Sequence, residues 1–259
     1  MLSRIFNQKL FYFGFLIASV LLFSCSSEKK DKLTIAVASN LQFVIGELVD
    51  NFNRQSGIEC EVIIGSSGKL TAQIIEGAPF DLFMSADMKY PNELYRRGFS
   101  HKEPVIYAFG NLILWTVKDG VDPDLKSLAT ERIRHIAIGN PKIAPYGVSA
   151  LEVIQRIGIE NDIKEKLVFG ESVSQTNQFI ISEAADLGFT SKSVVMSRKM
   201  KQRGSWKEID KTLYEPIEQG MVILKGRESL KSSALLFRDY ILSVEGKKIL
   251  HKFGYDIKY

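Results

Sequence analysis

The stretch "IIGSSGKLTAQI" (residues 63–74) sets Gly65, Ser66, Ser67, Gly68 and Lys69 between a β-branched run and a helical pattern. Three chemistries fit such a corner. A glycine-rich turn can cradle phosphate, a serine can act as nucleophile beside a lysine, or hydroxyls and free amides can receive an anion without a countercharge. The phosphate loop requires Gly-x-x-x-x-Gly-Lys-Ser/Thr, whereas here Gly65 is three residues before Gly68 and Leu70 stands where the hydroxyl belongs. Ser66-x-x-Lys69 matches the dyad of penicillin-binding enzymes, but the Ser-Asp-Asn and Lys-Thr-Gly elements those enzymes need are missing. A serine acyltransferase using Ser66 and Lys69 is therefore the distant alternative.

Three other strand-to-helix corners share the composition: "VASNLQ" (37–42), "NPKIAPYGVSA" (140–150) and "GESVSQT" (170–176). Each brings Ser, Asn, Gly or Pro to a helix start, where the first N–H groups lack helical partners and the macrodipole is positive. Singly, each is an ordinary N-cap. Together the four corners describe an anion site of neutral donors. Metal chemistry has little support, since His101, His135 and His251 lie far apart and outside any ligand-spaced motif.

The elements that position these corners alternate. "KLTIAVAS" reads as a strand, and Leu41, Val44, Ile45, Leu48, Val49 and Phe52 fall on one face of a helix that stops near Gly57. "CEVIIG", "FDLFMSA", "HIAIGN", "KLVFG", "LGFTS" and "QGMVILK" read as further strands. "KLTAQIIEG", "NELYRRG", "LKSLATE", "VSALEVIQRIG", "VSQTNQFIISEAAD" and residues 229–253 read as helices. Such alternation predicts parallel sheets with crossover helices. The long β-rich stretch "YAFGNLILWTV" starts a second run of alternation, and the C-terminal tail packs back on the first. "SRKMKQRGSWKEIDK" reads as a solvated basic face. The result is two α/β lobes with a cleft between them, where such folds bind ligands.

The 259 residues are 45% hydrophobic and 25% charged, with a net charge of +4, which is ordinary globular composition. No basic stripe interleaved with aromatics points to nucleic acid. Arg4 and Lys9 precede an apolar run of 14 residues, 10–23, shorter than the ~20 that a spanning helix needs. Ser24 and Cys25 follow. The pattern predicts a signal peptide over 1–24, and "LFSC" resembles a bacterial lipobox, which implies cleavage before Cys25, lipid on its thiol and a polar tether over 25–32. A plain signal peptide or an anchor helix is the alternative. Cys60 then has no partner and reads as a small, inert side chain in or beside a strand.

"IAVASNLQFVIGELVDNF", "GSSGKLTAQIIEGAPFDLFMSADMKYPNELYRRG", "NPKIAPYGVSALEVI" and "SVEGKKILHKFGY" resemble the periplasmic molybdate-binding proteins of ABC importers, from about Leu33 to the end. The resemblance implies the class II periplasmic-binding-protein fold (α/β), with hinge strands near 110 and 217. Residues 33–110 plus 217–259 would form one lobe and 111–216 the other. It implies a non-enzymatic, extracytoplasmic, lipid-anchored monomer that passes molybdate or tungstate to a permease and carries no cofactor. It also implies the ligands: hydroxyls and amides of Ser39 and Ser67, and the backbone N–H groups of Tyr146 and Val173. Many relatives add a tyrosine hydroxyl from the segment matching "LGFTS", where this chain has Phe189. Another branch uses an asparagine after the first serine, which makes Asn40 the expected fifth ligand. Sulfate, thiosulfate or another oxyanion is the near alternative, and cavity size decides between them.

If "LFSC" is a lipobox, Cys25→Ser yields an unprocessed or unlipidated precursor by mass spectrometry of the membrane fraction. A variant that still carries a lipid mass contradicts the assignment.

Overall fold

Leu33–Ala38 (β1) is buried at five of its six positions, as expected of a strand covered on both faces. In this computed structural model residues 31–258 are described, so the leader over 1–24, Cys25 and the tether as far as residue 30 lie outside the description. After β1 the chain makes a 3-10 turn, Ser39–Leu41, and only then enters α1, Ile45–Ser56. The apolar face read from Leu41 is real, but Leu41 and Val44 reach the core from the turn and the helix begins later. Gly57, at φ 68°, closes it in the left-handed conformation that glycine adopts without penalty.

The first run continues with β2 (Cys60–Gly65), α2 (Ser67–Ile75), β3 (Leu82–Met84), α3 (Lys89–Arg96) and β4 (Val105–Gly110). After Asn111 the chain enters β5 (Leu112–Thr116), which belongs to a different sheet. There follow β6 (Ile136–Gly139), α4 (Pro145–Arg156), α5 (Glu160–Ile163), β7 (Leu167–Gly170), α6 (Val173–Ile181), β8 (Leu187–Ser191), α7 (Lys192–Val195) and β9 (Ser205–Glu208). The chain returns through β10 (Ile217–Ile223) and ends in α8 (Lys231–Leu242) and α9 (Val244–Lys252).

The sheets are ordered β2-β1-β3-β10-β4 and β7-β6-β8-β5-β9. Alternation predicts parallel sheets, and the crossover-linked strands are parallel. The strand that enters each sheet directly from the other, β10 or β5, runs antiparallel to both its neighbours. A strand that arrives without a crossover helix is free of the constraint that makes its neighbours parallel. One buried apolar cluster fills the second sheet's layers, and two cover the faces of the first.

Two segments differ from their sequence reading. "LKSLATE" forms only a 3-10 turn, Leu125–Ser127. The Asp124 carboxylate accepts from Lys126 N–H, and the Ser127 and Thr130 hydroxyls bond Asp124 O and Ser127 O, local bonds that compete with a helix. The basic stretch near 205 contains β9, an edge strand on β5 whose four residues are all exposed. Its Lys207 and Glu208 are the charged side chains that keep an edge from pairing with another chain. Cys60 opens β2, half-buried, and burial pushes its thiol up to about 12, which keeps it unreactive.

Asp186, just before β8, ties the second sheet's first crossing to its centre. Its carboxylate accepts from Lys118 Nζ (2.6 Å) and from the N–H groups of Arg134 (2.7 Å) and His135 (2.9 Å). Burial raises its pKa, but Lys118 and the two N–H groups outweigh burial and hold the carboxyl below the usual aspartate range. A depressed folded pKa contributes stability above the unfolded value of about 3.9 and loses it as pH falls through the folded value. Asp186→Asn therefore lowers stability at pH 7 by about 1–3 kcal/mol. The gap to the parent begins to narrow below about pH 4 and closes only once the pH is below the folded value. Urea melts at pH 7 and pH 3.5 check this, and a gap of equal size at both contradicts it.

Candidate anion site

Four of the chain's helical starts face one another across the two sheets, each following a strand end. The turn at Ser39 follows β1, α2 follows β2, α4 follows β6 and α6 follows β7. None carries an acidic residue in its first turn, so no side chain of the helix itself neutralises its positive end.

Two serines do the capping and two do not. Ser66 Oγ accepts from Lys69 N (3.4 Å), and Ser172 Oγ accepts from Gln175 N (3.2 Å). Ala38 and Ala144 are the N-caps of the other two starts and make no side-chain cap. Ser39 and Ser67, each the first residue inside its helical turn, keep their hydroxyl protons uncommitted. Ser39 is 3% exposed and its hydroxyl makes no hydrogen bond among the described residues. Ser67 is 1% exposed and its Oγ accepts from Ala86 N at 3.0 Å, which leaves the O–H free to donate. Tyr146 and Val173, also buried, sit second in α4 and first in α6, where their N–H groups have no intrahelical acceptor. Pro145 at the first position of α4 has no N–H to satisfy.

The corners are tied together across the cleft. Gly68 N–H donates to Ile143 O (3.0 Å), Tyr90 Oη to Lys142 O (3.2 Å) and Ser174 Oγ to Gln42 Oε1 (2.7 Å). Ser193 Oγ donates to Asn40 O (2.6 Å), and Lys69 pairs with Glu171. Ser39, Asn40, Ser67, Tyr146 and Val173 thus lie on corners that these bonds bring side by side. Lys69 Nζ pairs with Glu171 and makes no bond to Ser66 Oγ, which accepts from the Lys69 N–H instead, so the nucleophile pair does not form. Gly68 also has a different use from anion approach. A Cβ there would lie 2.7 Å from Tyr90 Oη and 2.9 Å from Ile143 Cα, so the missing side chain lets the two sides meet. In α4, a Cβ on Gly147 would strike Gly139 O at 2.0 Å, so that glycine seats the helix against β6.

The expectation for Asn40 needs correcting at the level of its side chain. Nδ2 donates to Gln219 Oε1 (2.7 Å) and to Tyr255 Oη (2.8 Å), which uses both amide hydrogens. The orientation is fixed, because Gln219 Nε2 already donates to Ala86 O and Ile217 O, and Tyr255 Oη donates to Asn40 O. Asn40 Oδ1 is buried with no partner. What Asn40 can offer an anion is its backbone N–H, in the first turn of a 3-10 helix. Phe189 lies in β8 opposite Leu114, 1% exposed, packed in the second sheet's core, and supplies no donor. Sequence reasoning missed Gln219 and Tyr255, since an isolated glutamine in a strand and a tyrosine near the C-terminus carry no spacing signal. No group of three or more His, Cys, Asp or Glu suited to a metal ion occurs among the described residues, and no described helix is long and apolar enough to cross a membrane.

Residues 33–256 match the family model for the bacterial extracellular solute-binding proteins. The molybdate-binding protein ModA of Azotobacter vinelandii is 33% identical over 240 residues, 92% of this chain and 94% of that protein. The ModA of Rhodobacter capsulatus is 35% identical over 222 residues, 85% of this chain and 86% of that one. The solved structure of the Azotobacter vinelandii periplasmic molybdate-binding protein superposes with a TM-score of 0.83 at 35% identity, covering 88% of this chain and all of that one.

Proposed function

The chain belongs to the bacterial extracellular solute-binding proteins, and from that premise we propose how its site captures molybdate or tungstate for an ABC importer. One observation carries the reading. The residues on these corners offer helix-start N–H groups and two uncommitted hydroxyls without a cation among them, and Lys69 and Glu171 pair with each other at the rim. The donors are the hydroxyls of Ser39 and Ser67 with the N–H groups of Ser39, Asn40, Ser67, Tyr146 and Val173. In this reading residues 33–110 with 217–259 form one lobe and 111–216 the other.

The energetics suit a dianion. Hydrogen bonds to a charged acceptor contribute about 1.5–3 kcal/mol each, so these donors supply on the order of 10–20 kcal/mol gross. Association and closure return roughly 4–15 kcal/mol of that. Neutral donors also discriminate. A protonated oxyanion such as hydrogen phosphate would turn its O–H toward backbone N–H groups that cannot accept it, which favours the unprotonated ion. Molybdate, tungstate and sulfate carry no such proton at neutral pH. Sulfate is smaller, and full-length relatives at a third identity favour molybdate over it. The chemistry is binding and release; no bond of the ligand is made or broken. Outside the described residues, the "LFSC" motif supports a lipid on Cys25 that holds a monomer at the outer face of a membrane, beside its permease.

Both lobes donate to one ion, so ligand stabilises the closed form. Molybdate at a hundredfold excess over Kd is expected to add about 2.7 kcal/mol to folding stability. Thermal melts of the parent with and without molybdate check this, and unchanged melting in saturating molybdate contradicts the cleft.

A further inference from the structure

Gln219 is fully buried in β10, one of the two strands by which the chain passes between the sheets. The pairing of β10 with β4 slips between Gln219 and Gly220, where Gln219 faces Ala108 and Gly220 faces Ile106. A bulge of this kind re-aims the side chains beside it. Room for the side chain comes from Gly110, where a Cβ would lie 2.9 Å from Gln219 Nε2 and 2.2 Å from Tyr146 Oη.

Three bonds fix the Gln219 amide. Nε2 donates to Ala86 O (3.1 Å) and Ile217 O (3.2 Å), and Oε1 accepts from Asn40 Nδ2 (2.7 Å). Each end leads to the anion site. Ala86, held through its carbonyl, presents its N–H to Ser67 Oγ and so turns that hydroxyl's proton away from itself. Asn40, held through its amide, lies in the turn that carries the Ser39 donors. Its carbonyl takes bonds from Tyr255 Oη and from Ser193 Oγ, which lies 2.8 Å from Ser191 Oγ, itself 3.0 Å from Tyr146 Oη, so that the hydroxyls can all donate in one direction toward Asn40 O. Burial holds the Tyr146 hydroxyl well above its usual range and the Tyr255 hydroxyl up to about 12, so both stay protonated at neutral pH. One chain of hydrogen bonds therefore runs from Ser67 through Gln219 and Asn40 to Tyr146, crossing from one sheet to the other.

We propose that Gln219 is a positioning residue for the anion site, which rests on the reading of that site given above. It touches no ligand in this arrangement. It sets the Ser67 hydroxyl and the Ser39–Asn40 turn in fixed relation before the anion arrives, so the donors need no reorganisation on binding. A residue that serves only the core would change stability and leave affinity alone. A residue that acts through Ser67 would lose part of its effect once that hydroxyl is gone.

The test is a double-mutant cycle on the full chain, with molybdate affinity read by calorimetry well below the melting temperature. Gln219→Met keeps the length and removes the amide, and is expected to weaken binding about tenfold or more. In a Ser67→Ala background the same change is expected to cost at most about a third of that factor. Tyr255→Phe, a smaller change that frees one hydrogen of the Asn40 amide, tests the other end should Gln219→Met fail to fold, with an expected loss of about threefold. Gln219→Met and Tyr255→Phe proteins that bind within a factor of about 1.5 of the parent overturn the proposal. So does a Gln219→Met penalty that is undiminished without the Ser67 hydroxyl. A parent chain that binds no molybdate overturns the site reading itself, and the positioning role with it.

Discussion

A backbone N–H at the start of a helix has no acceptor within its helix, and when it is buried something else must accept from it. That constraint organises this protein. Four helical starts end four strands, and the strands are arranged in two sheets so that the starts meet. Capping serines satisfy some of the donors, while alanine N-caps and a helix-opening proline leave the rest open. In the proposed reading, an anion between the sheets completes what the backbone leaves unfinished. It does so without burying a lysine or arginine, whose desolvation would cost several kcal/mol and whose charge would not discriminate between protonated and unprotonated oxyanions.

The same constraint explains why the surroundings are polar, buried and nearly saturated. Ser191, Ser193, Tyr146, Tyr255, Asn40 and Gln219 form one network in which most donors and acceptors are used. Buried networks of this kind are rigid when satisfied and costly when broken. Rigidity here has a direction, since the network leaves outward-facing donors free and takes up the rest. The rim behaves differently. Lys69 and Glu171 are both exposed, and such pairs contribute at most about 1 kcal/mol, so this contact adds little to the hold between the two sides.

Much of the fold was legible because hydrophobic periodicity and turn residues are local. β1, the face of α1, Gly57 as a stop and the strands at β6 to β8 all follow from neighbours in sequence. The direction of β5 and β10 was not legible, since it depends on which sheet the preceding strand belonged to. Nor was the edge strand β9, whose four residues carry no buried face. At the site, the corner "GSSGKL" announced itself, but the division of labour between Ser66 and Ser67 depends on where the helix starts to within one residue. Asn40 shows the limit most clearly. Its position after Ser39 is readable, yet the fate of its two amide hydrogens is decided by Gln219 and Tyr255, 179 and 215 residues away.

The central claim is that neutral donors select an unprotonated tetrahedral dianion. The direct measurement is a set of calorimetric titrations of the parent chain with molybdate, tungstate, sulfate and phosphate at pH 7 in the same buffer. The account predicts binding of molybdate or tungstate at sub-micromolar Kd, about 8 kcal/mol or more of net free energy, with phosphate weaker by at least a hundredfold. Phosphate binding within tenfold of molybdate would contradict it.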